Sequence, residues 1–449
     1  METLWTLHVE NFGRIERADI DVSPLTLFVG DNNSGKSYLL ALLYGLMCAD
    51  KYDILANLCE DSSEYQKCAE WLEKAIEQGK QVGDFETPFD DCAYAVFESL
   101  LNRILQSNQK EILRSIFNND LSAGNISVTF SRGKNETLRL IFAGESLDSV
   151  TLSFSFRMSL ALKRLQPRDR IKTAVVVILT QLITRGFSKL NDLFHVVLLP
   201  TDRAGLLLVY KILAKDAFSR AYGPNQKQDA SLFLTSPLTD FLGNLATINP
   251  EKSYSANEFI VRFIEDNIIH GKIIVSNEMP LPDFYYLPEK TEIALPMSLS
   301  SDVVKQMTPL LAILQHQPID ALCIEEPEIN LHPELQQMAA RTLIKLVNAG
   351  TPVFAATHSD IILQHLNNMI KLNNLPAARK QNLAARYGFD WDELISADKI
   401  SIYQFDVQGD GRTIVRKLSH GDYGFGVPTF YKPLETLFEQ TRETKPDED

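Results

Sequence analysis

Residues 30–37 read Gly30-Asp31-Asn32-Asn33-Ser34-Gly35-Lys36-Ser37. Two glycines five positions apart, then lysine and a hydroxyl residue, give a spacing in which the backbone N–H groups of Gly30, Asn32, Asn33, Ser34 and Gly35 wrap a phosphate chain. Lys36 would neutralise the terminal phosphates and Ser37 would ligate magnesium. An ordinary glycine turn offers the same fixed positions. What favours phosphate is context: the apolar run Leu25–Val29 precedes the loop and YLLALLYGLM follows it, so a helix N-terminus points at the same anion.

A second constellation is Ala321-Leu322-Cys323-Ile324-Glu325-Glu326, an apolar strand that ends in two carboxylates. Adjacent charges at the end of a buried strand are unfavourable unless they serve a cation. Magnesium is the fitting one, with Glu325 holding the metal or its water and Glu326 polarising the attacking water for in-line phosphoryl transfer. The competing reading makes them helix-start acids beside Pro327. His358 follows the strand PVFAA, where a loop leaving the sheet edge could bring it to a terminal phosphate, although a lone histidine is more often structural. Asp360 caps the next helix in the simpler reading. Ser298-Leu299-Ser300-Ser301 precedes a helix over Val303–Leu314, and hydroxyls there can cap that helix, bind an anion, or do both.

These motifs need a scaffold of α/β class. Alternation through Leu4, Thr6 and His8 and from Ile15 to Val22, around Asn11-Phe12-Gly13, predicts an antiparallel hairpin. The expected organisation is an N-terminal part of an ATPase head over 1–49, a helical insertion over 50–119, a strand meander over 120–157, a mostly helical lobe over 158–280 and the C-terminal part of the head over 281–449. The meander is expected from NISVTF, TLRLIF and VTLSFSF, and the alternation of ALCI, a helix and PVFAAT predicts a parallel sheet. The terminal SIYQFDVQGDGRTIVRKL reads as a hairpin turned at Gly409-Asp410-Gly411.

A chain of 449 residues with 45% apolar residues can bury a large core. Its five cysteines lack paired spacing, which argues against a disulfide framework. No apolar run is long enough for a membrane span, and METLWTLHVENF lacks the features of a secretory signal, so a cytoplasmic protein is expected. The formal charge of −14 disfavours a surface that coats nucleic acid, and any such contact would be local. Lys163, Arg164, Arg168, Arg170 and Lys172 form the best basic cluster, which a solvated face or a protein contact would equally explain.

Taken together, NFGRIERADIDV, GDNNSGKS, PMSLSSDVVKQMTPLLAIL, LCIEEPEINLHPELQQ and FAATHSD resemble the ABC-type ATPases of the SMC, RecF and overcoming-lysogenisation-defect groups. The IEEPEINLHPELQ and THSD pair looks especially like the ATPase subunits of bacterial antiphage systems such as Septu and PARIS. The resemblance implies an ABC/SMC-like head with a mixed sheet and helical insertions, bound ATP and Mg2+, and two heads that sandwich two nucleotides as a homodimer or higher oligomer. It makes Ser300 and Ser301 contacts to the γ-phosphate on a second subunit, and His358 the switch histidine. The family's glutamine loop is not matched: LPTDRAGLL around Arg203 lies near the expected place without a glutamine.

The leading expectation is an ATP-driven switch that controls a separate effector in phage defence. An SMC- or RecF-like ATPase acting directly on DNA in repair is the alternative, and long coiled-coil arms or a basic channel would support it. A scaffold that binds ATP without turnover would need a disabled Glu326 or His358, and neither is missing. About 90 residues follow His358, short for the nuclease domain that overcoming-lysogenisation-defect proteins carry there, and Asp406 and Asp410 do not supply its acidic constellation.

Overall fold

A computed structural model of the chain describes residues 4–48, 54–55, 58–80, 84–133, 136–143, 146–152, 166–184, 195–222, 234–277, 281–421 and 424–444. Lys163 and Arg164 of the basic cluster lie outside these residues.

A nine-stranded mixed sheet organises the molecule in the order 125–130, 5–12, 15–21, 413–417, 400–407, 25–30, 353–356, 321–325, 196–199. The hairpin expected at the start is Trp5–Phe12 against Ile15–Asp21. The terminal hairpin pairs Ile400–Val407 with Thr413–Lys417, and Asp410 accepts from the Arg412 backbone N–H within its turn. The last five strands in the sheet order are mutually parallel. Their carboxyl ends therefore share one edge, where loops of an open α/β sheet gather ligands.

Alternation along these strands sorts side chains onto two faces. Phe28, Phe354, Cys323 and Phe405 enter one core, beneath the helix Lys36–Met47 and the helices Asp91–Ser107 and Pro167–Ile183. Leu27, Ala355, Leu322 and Ile402 enter the other, covered by Asp302–His316, Pro333–Asn348 and Asp360–Asn373. Burial on both faces accounts for the predominantly apolar character of Leu25–Gly30, broken by Thr26 alone, and for the unbroken run Ala321–Ile324.

The three segments read as one meander divide between two sheets. Asn125–Phe130 joins the large sheet beside Trp5–Phe12, whereas Thr137–Ala143 and Ser146–Leu152 pair with Asp84–Pro88 in a separate three-stranded sheet. The helical insertion expected over 50–119 thus also supplies a strand. The lobe expected to be mostly helical over 158–280 also supplies the strand Val196–Leu199 at the edge of the main sheet and the strand Gly271–Ser276, which pairs with Asp283–Pro288. Asp390, Asp392 and Glu393 lie close enough together to suggest a cation site, but Lys345 reaches all three and Arg341 grips Glu393 from the helix Pro333–Asn348. That cluster is an internal ion-pair network.

Candidate active site

The strand Leu25–Gly30 delivers its loop to the common edge through a close backbone approach. A Cβ on Gly30 would lie 2.3 Å from the Phe405 carbonyl oxygen, and its φ of +124° suits glycine. The Asp31 N–H donates to that same carbonyl at 3.1 Å, and its carboxylate accepts from the Val407 N–H at 3.0 Å. Asn33 and Gly35 adopt left-handed backbone, φ 56° and 97°, and turn the chain into the helix Lys36–Met47. The first intrahelical bond runs from the Leu39 N–H to the Gly35 carbonyl, so the N–H groups of Lys36, Ser37 and Tyr38 precede the ladder and are directed to the loop. Lys36 Nζ donates to the Asp31 and Gly30 carbonyls at 2.5 and 3.2 Å and to Ser34 Oγ at 3.3 Å. Burial pulls its pKa down to about 8, against the opposing charges of Asp31, Glu326 and Glu328.

Two strands away the sheet edge carries the acidic residues. Glu326 leaves Ala321–Glu325 with φ 42°, a conformation uncommon outside glycine. Its N–H donates to the Ala356 carbonyl at 2.8 Å, and its own carbonyl accepts from Arg203 at 3.2 Å. Burial and the neighbouring Glu325 charge raise its pKa above the usual carboxylate range, partly offset by Arg203 and Lys36. Glu325 is oriented differently, with Oε2 accepting from the Thr201 N–H and hydroxyl at 3.3 and 3.2 Å. His358, after Val353–Ala356, is positioned by Glu328, whose carboxylate accepts from the His358 N–H at 2.6 Å and from the Thr357 hydroxyl at 2.9 Å. Burial and the Lys36 charge hold the His358 imidazole below its ordinary pKa, so it is neutral near pH 7.

The loop residues Asn32 to Ser37, Glu326 and His358 line one cavity of about 670 Å³. Residues about 290 to 330 positions apart in sequence thus border the same space. Gly30 and Glu325 are not among the lining residues. Nor are Ser300 and Ser301: the Ser301 hydroxyl caps Asp302–His316 by accepting from the Val304 N–H at 3.4 Å, and the Ser300 hydroxyl donates to the Pro296 carbonyl at 3.3 Å. Two supporting residues went unassigned at the sequence level. Arg203, only 1% exposed, donates to four carbonyls, those of Pro200, Gln306, Glu325 and Glu326. Glu328 ties the histidine loop to the acidic strand, and its only signal was the third glutamate of EEPE.

The sequence matches the family described as AAA ATPase domain over residues 3–175 and 307–363, just over half of the chain and inclusive of the phosphate loop, Glu326 and His358. The chain belongs to this AAA ATPase domain family. Among solved structures, it is similar to the SMC head domain from Thermotoga maritima at 13% identity, over 93% of this chain and 99% of that one, with a TM-score of 0.35. It is also similar to the SmcHead bound to the C-winged helix domain of ScpA, at 12% identity over 92% and 97% of the two chains and a TM-score of 0.36. A third is the Smc head domain with an extended coiled coil bound to the C-terminal domain of ScpA derived from Pyrococcus furiosus, at 12% identity over 97% and 98%, with a TM-score of 0.34. No curated protein matches the sequence. Among the described residues no helix is long and apolar enough to cross a membrane.

For an AAA ATPase domain the donors at this edge suit magnesium. The Ser37 hydroxyl and the Glu326 carboxylate are hard oxygen donors in the cavity; burial is what chiefly raises the pKa values of Glu326 and Glu328, and repulsion from Glu325 and Glu326 adds to it, a local negative charge that a dication relieves. The lysine also sets a pH dependence for the ATPase domain. A triphosphate favours the charged form of Lys36, so nucleotide binding draws a proton once the free site has lost one. The dissociation constant for ATP should therefore be flat below about pH 8 and weaken above it, approaching roughly tenfold per pH unit. Isothermal titration calorimetry in buffers of different ionisation enthalpy should show proton uptake at pH 9 and little at pH 7. Equal uptake at both would assign the proton to another group.

Proposed function

We propose that this chain is a magnesium-dependent ATP-binding and ATP-hydrolysing switch whose heads pair across two nucleotides and whose state controls a separate effector protein, in antiphage defence. The observation that carries the hydrolytic reading is the convergence of the phosphate loop, Glu326 and His358 on one cavity. Backbone N–H groups from Asn32 to Tyr38 cradle the phosphates, and the Lys36 ammonium turns from the loop carbonyls to the terminal ones. Ser37 and an acid of the strand end, Glu325 directly or through water, would hold magnesium, which would supply charge neutralisation at the phosphates. Glu326 accepts the proton of the attacking water, a role that its raised pKa favours over that of a solvated carboxylate. His358 donates a ring N–H to the terminal phosphate.

Pairing of heads is supported by the segment before Asp302–His316. Ser301 is exposed, Ser300 is buried, and Leu299 before them is 72% exposed, an apolar side chain displayed on a segment that contributes nothing to the cavity of its own subunit. Completion of a neighbour's site by Ser300 and Ser301 gives them a ligand. The defence role rests on the resemblance of IEEPEINLHPELQ and THSD to antiphage ATPase subunits. The insertion between Lys51 and Asn119 is the surface offered to the effector, because insertions on a catalytic frame are where folds acquire partners.

Association linked to nucleotide tests the pairing, because a ligand that binds only the joined state favours it by mass action. Light scattering of Glu326→Gln should show the mass doubling on addition of ATP, and Ser301→Cys should crosslink to a cysteine placed near Gly35 of the other subunit. An unchanged mass without crosslinking removes the sandwich. Alone, the purified protein should leave plasmid, single-stranded DNA and transfer RNA intact in magnesium or manganese.

A further inference from the structure

Where the nucleotide base lies is a separate question from where its phosphates lie, and the mouth of the cavity carries side chains that phosphate chemistry does not use. Phe12 from the first hairpin, Tyr38 from the phosphate-loop helix and Leu121 from just after the insertion all border it. Tyr38 is 55% exposed despite its place between Lys36 and the fully buried Leu39. It does not dangle in solvent. Its ring centroid lies 5.8 Å from that of Phe117 at an interplanar angle of 31°, and 6.4 Å from Phe12 at 83°. Phe12 and Phe117 are themselves buried and sit 5.8 Å apart. Two buried rings therefore pack against the tyrosine ring, which also borders the cavity and stays 55% exposed.

We infer that Tyr38 is the platform on which the base of the bound nucleotide stacks, an assignment that rests on the phosphate-loop reading above. Direction follows from the helix. Lys36 faces the terminal phosphates, and the N–H groups of Ser37 and Tyr38 come next along the chain, so the phosphate chain runs out toward Tyr38 and the base is one sugar further on. An aromatic ring held from behind loses little freedom on stacking, and every base presents a π face. Arg14, which also borders the cavity, adds a cation at the same mouth. The platform is assembled from three separate regions of sequence, the hairpin turn, the phosphate-loop helix and the helix Gln109–Phe117, so its geometry reports the seating of the insertion on the head. Gly45, about two turns further along the helix, permits that seating: a Cβ there would lie 2.4 Å from the Ile116 side chain.

The test separates base from phosphate. Affinity of the intact protein is measured for ATP and for inorganic tripolyphosphate, each with magnesium, in wild type, Tyr38→Ala and Tyr38→Trp. Tyr38→Ala should weaken ATP by roughly 5- to 100-fold, the range found when a stacking aromatic is removed, and leave tripolyphosphate unchanged. Tyr38→Trp should retain ATP affinity, and its added indole fluorescence should be quenched by ATP and not by tripolyphosphate. Equal weakening of both ligands in Tyr38→Ala would mean a disturbed loop and overturn the platform, as would unchanged ATP affinity. A wild-type protein that binds neither ligand would instead bring down the phosphate-loop reading, and the platform with it.

Discussion

Replacing Glu326 by glutamine should slow ATP turnover by roughly 10²- to 10⁴-fold, the range for loss of a positioned general base, while ATP binding persists. The substitution keeps the size of the side chain and removes its ability to accept a proton. It also relieves the repulsion from Glu325 that helps to raise the Glu326 pKa, so nucleotide affinity should hold or improve. Lys36→Ala should do the reverse. It deletes the cation that the loop keeps buried among its own carbonyls, and losing a charged donor to phosphate should weaken ATP roughly 10- to 100-fold. Nucleotide titration and steady-state phosphate release on both variants separate the two roles. Undiminished turnover by Glu326→Gln would transfer the base to another residue.

What could be read from sequence here was local. The phosphate loop, the acid-tipped strand and His358 are each short segments in which a buried strand runs straight into a polar residue, and the parallel block places all three strand ends on one edge. What could not be read depends on distant partners. Asp84–Pro88 shows little apolar alternation and alternates between exposed and half-buried residues; only its pairing with Thr137–Ala143 makes it a strand. Val196–Leu199 is four buried residues, too short to distinguish from a buried helical turn until its partner, Ala321–Glu325, is known. Glu328 and Arg203 belong to the same class. A glutamate after a proline and an arginine after an aspartate announce nothing by type, and their roles come from backbone groups about 30 to 120 residues away. The expected glutamine loop illustrates the point from the other side: the position near Arg203 holds a clamp on the acidic strand.

That clamp leads to the second large effect. Arg203→Ala should destabilise the protein by about 3–5 kcal/mol and reduce ATP turnover in the fraction that remains folded. The guanidinium is buried, its pKa lowered to about 10 by desolvation yet still charged at neutral pH, and its donors reach four carbonyls from three regions of the chain. Alanine strands those carbonyls inside the protein and releases the strand end that sets Glu326 at its positive φ. Lysine keeps the charge but lacks the planar fork needed to span the acceptors, so Arg203→Lys should recover only part of the stability. The charge has a further effect, because Arg203 is one of the groups that lower the Glu326 pKa. Without it that pKa rises further, less of the base is ionised at a given pH, and the acid limb of the turnover profile should move to higher pH in Arg203→Ala and remain near its wild-type place in Arg203→Lys. Urea denaturation gives the stability term, and the pH profile of phosphate release gives the electrostatic one. A variant with wild-type stability would end the clamp, and a loss of stability with an unmoved acid limb would reduce Arg203 to a purely mechanical brace.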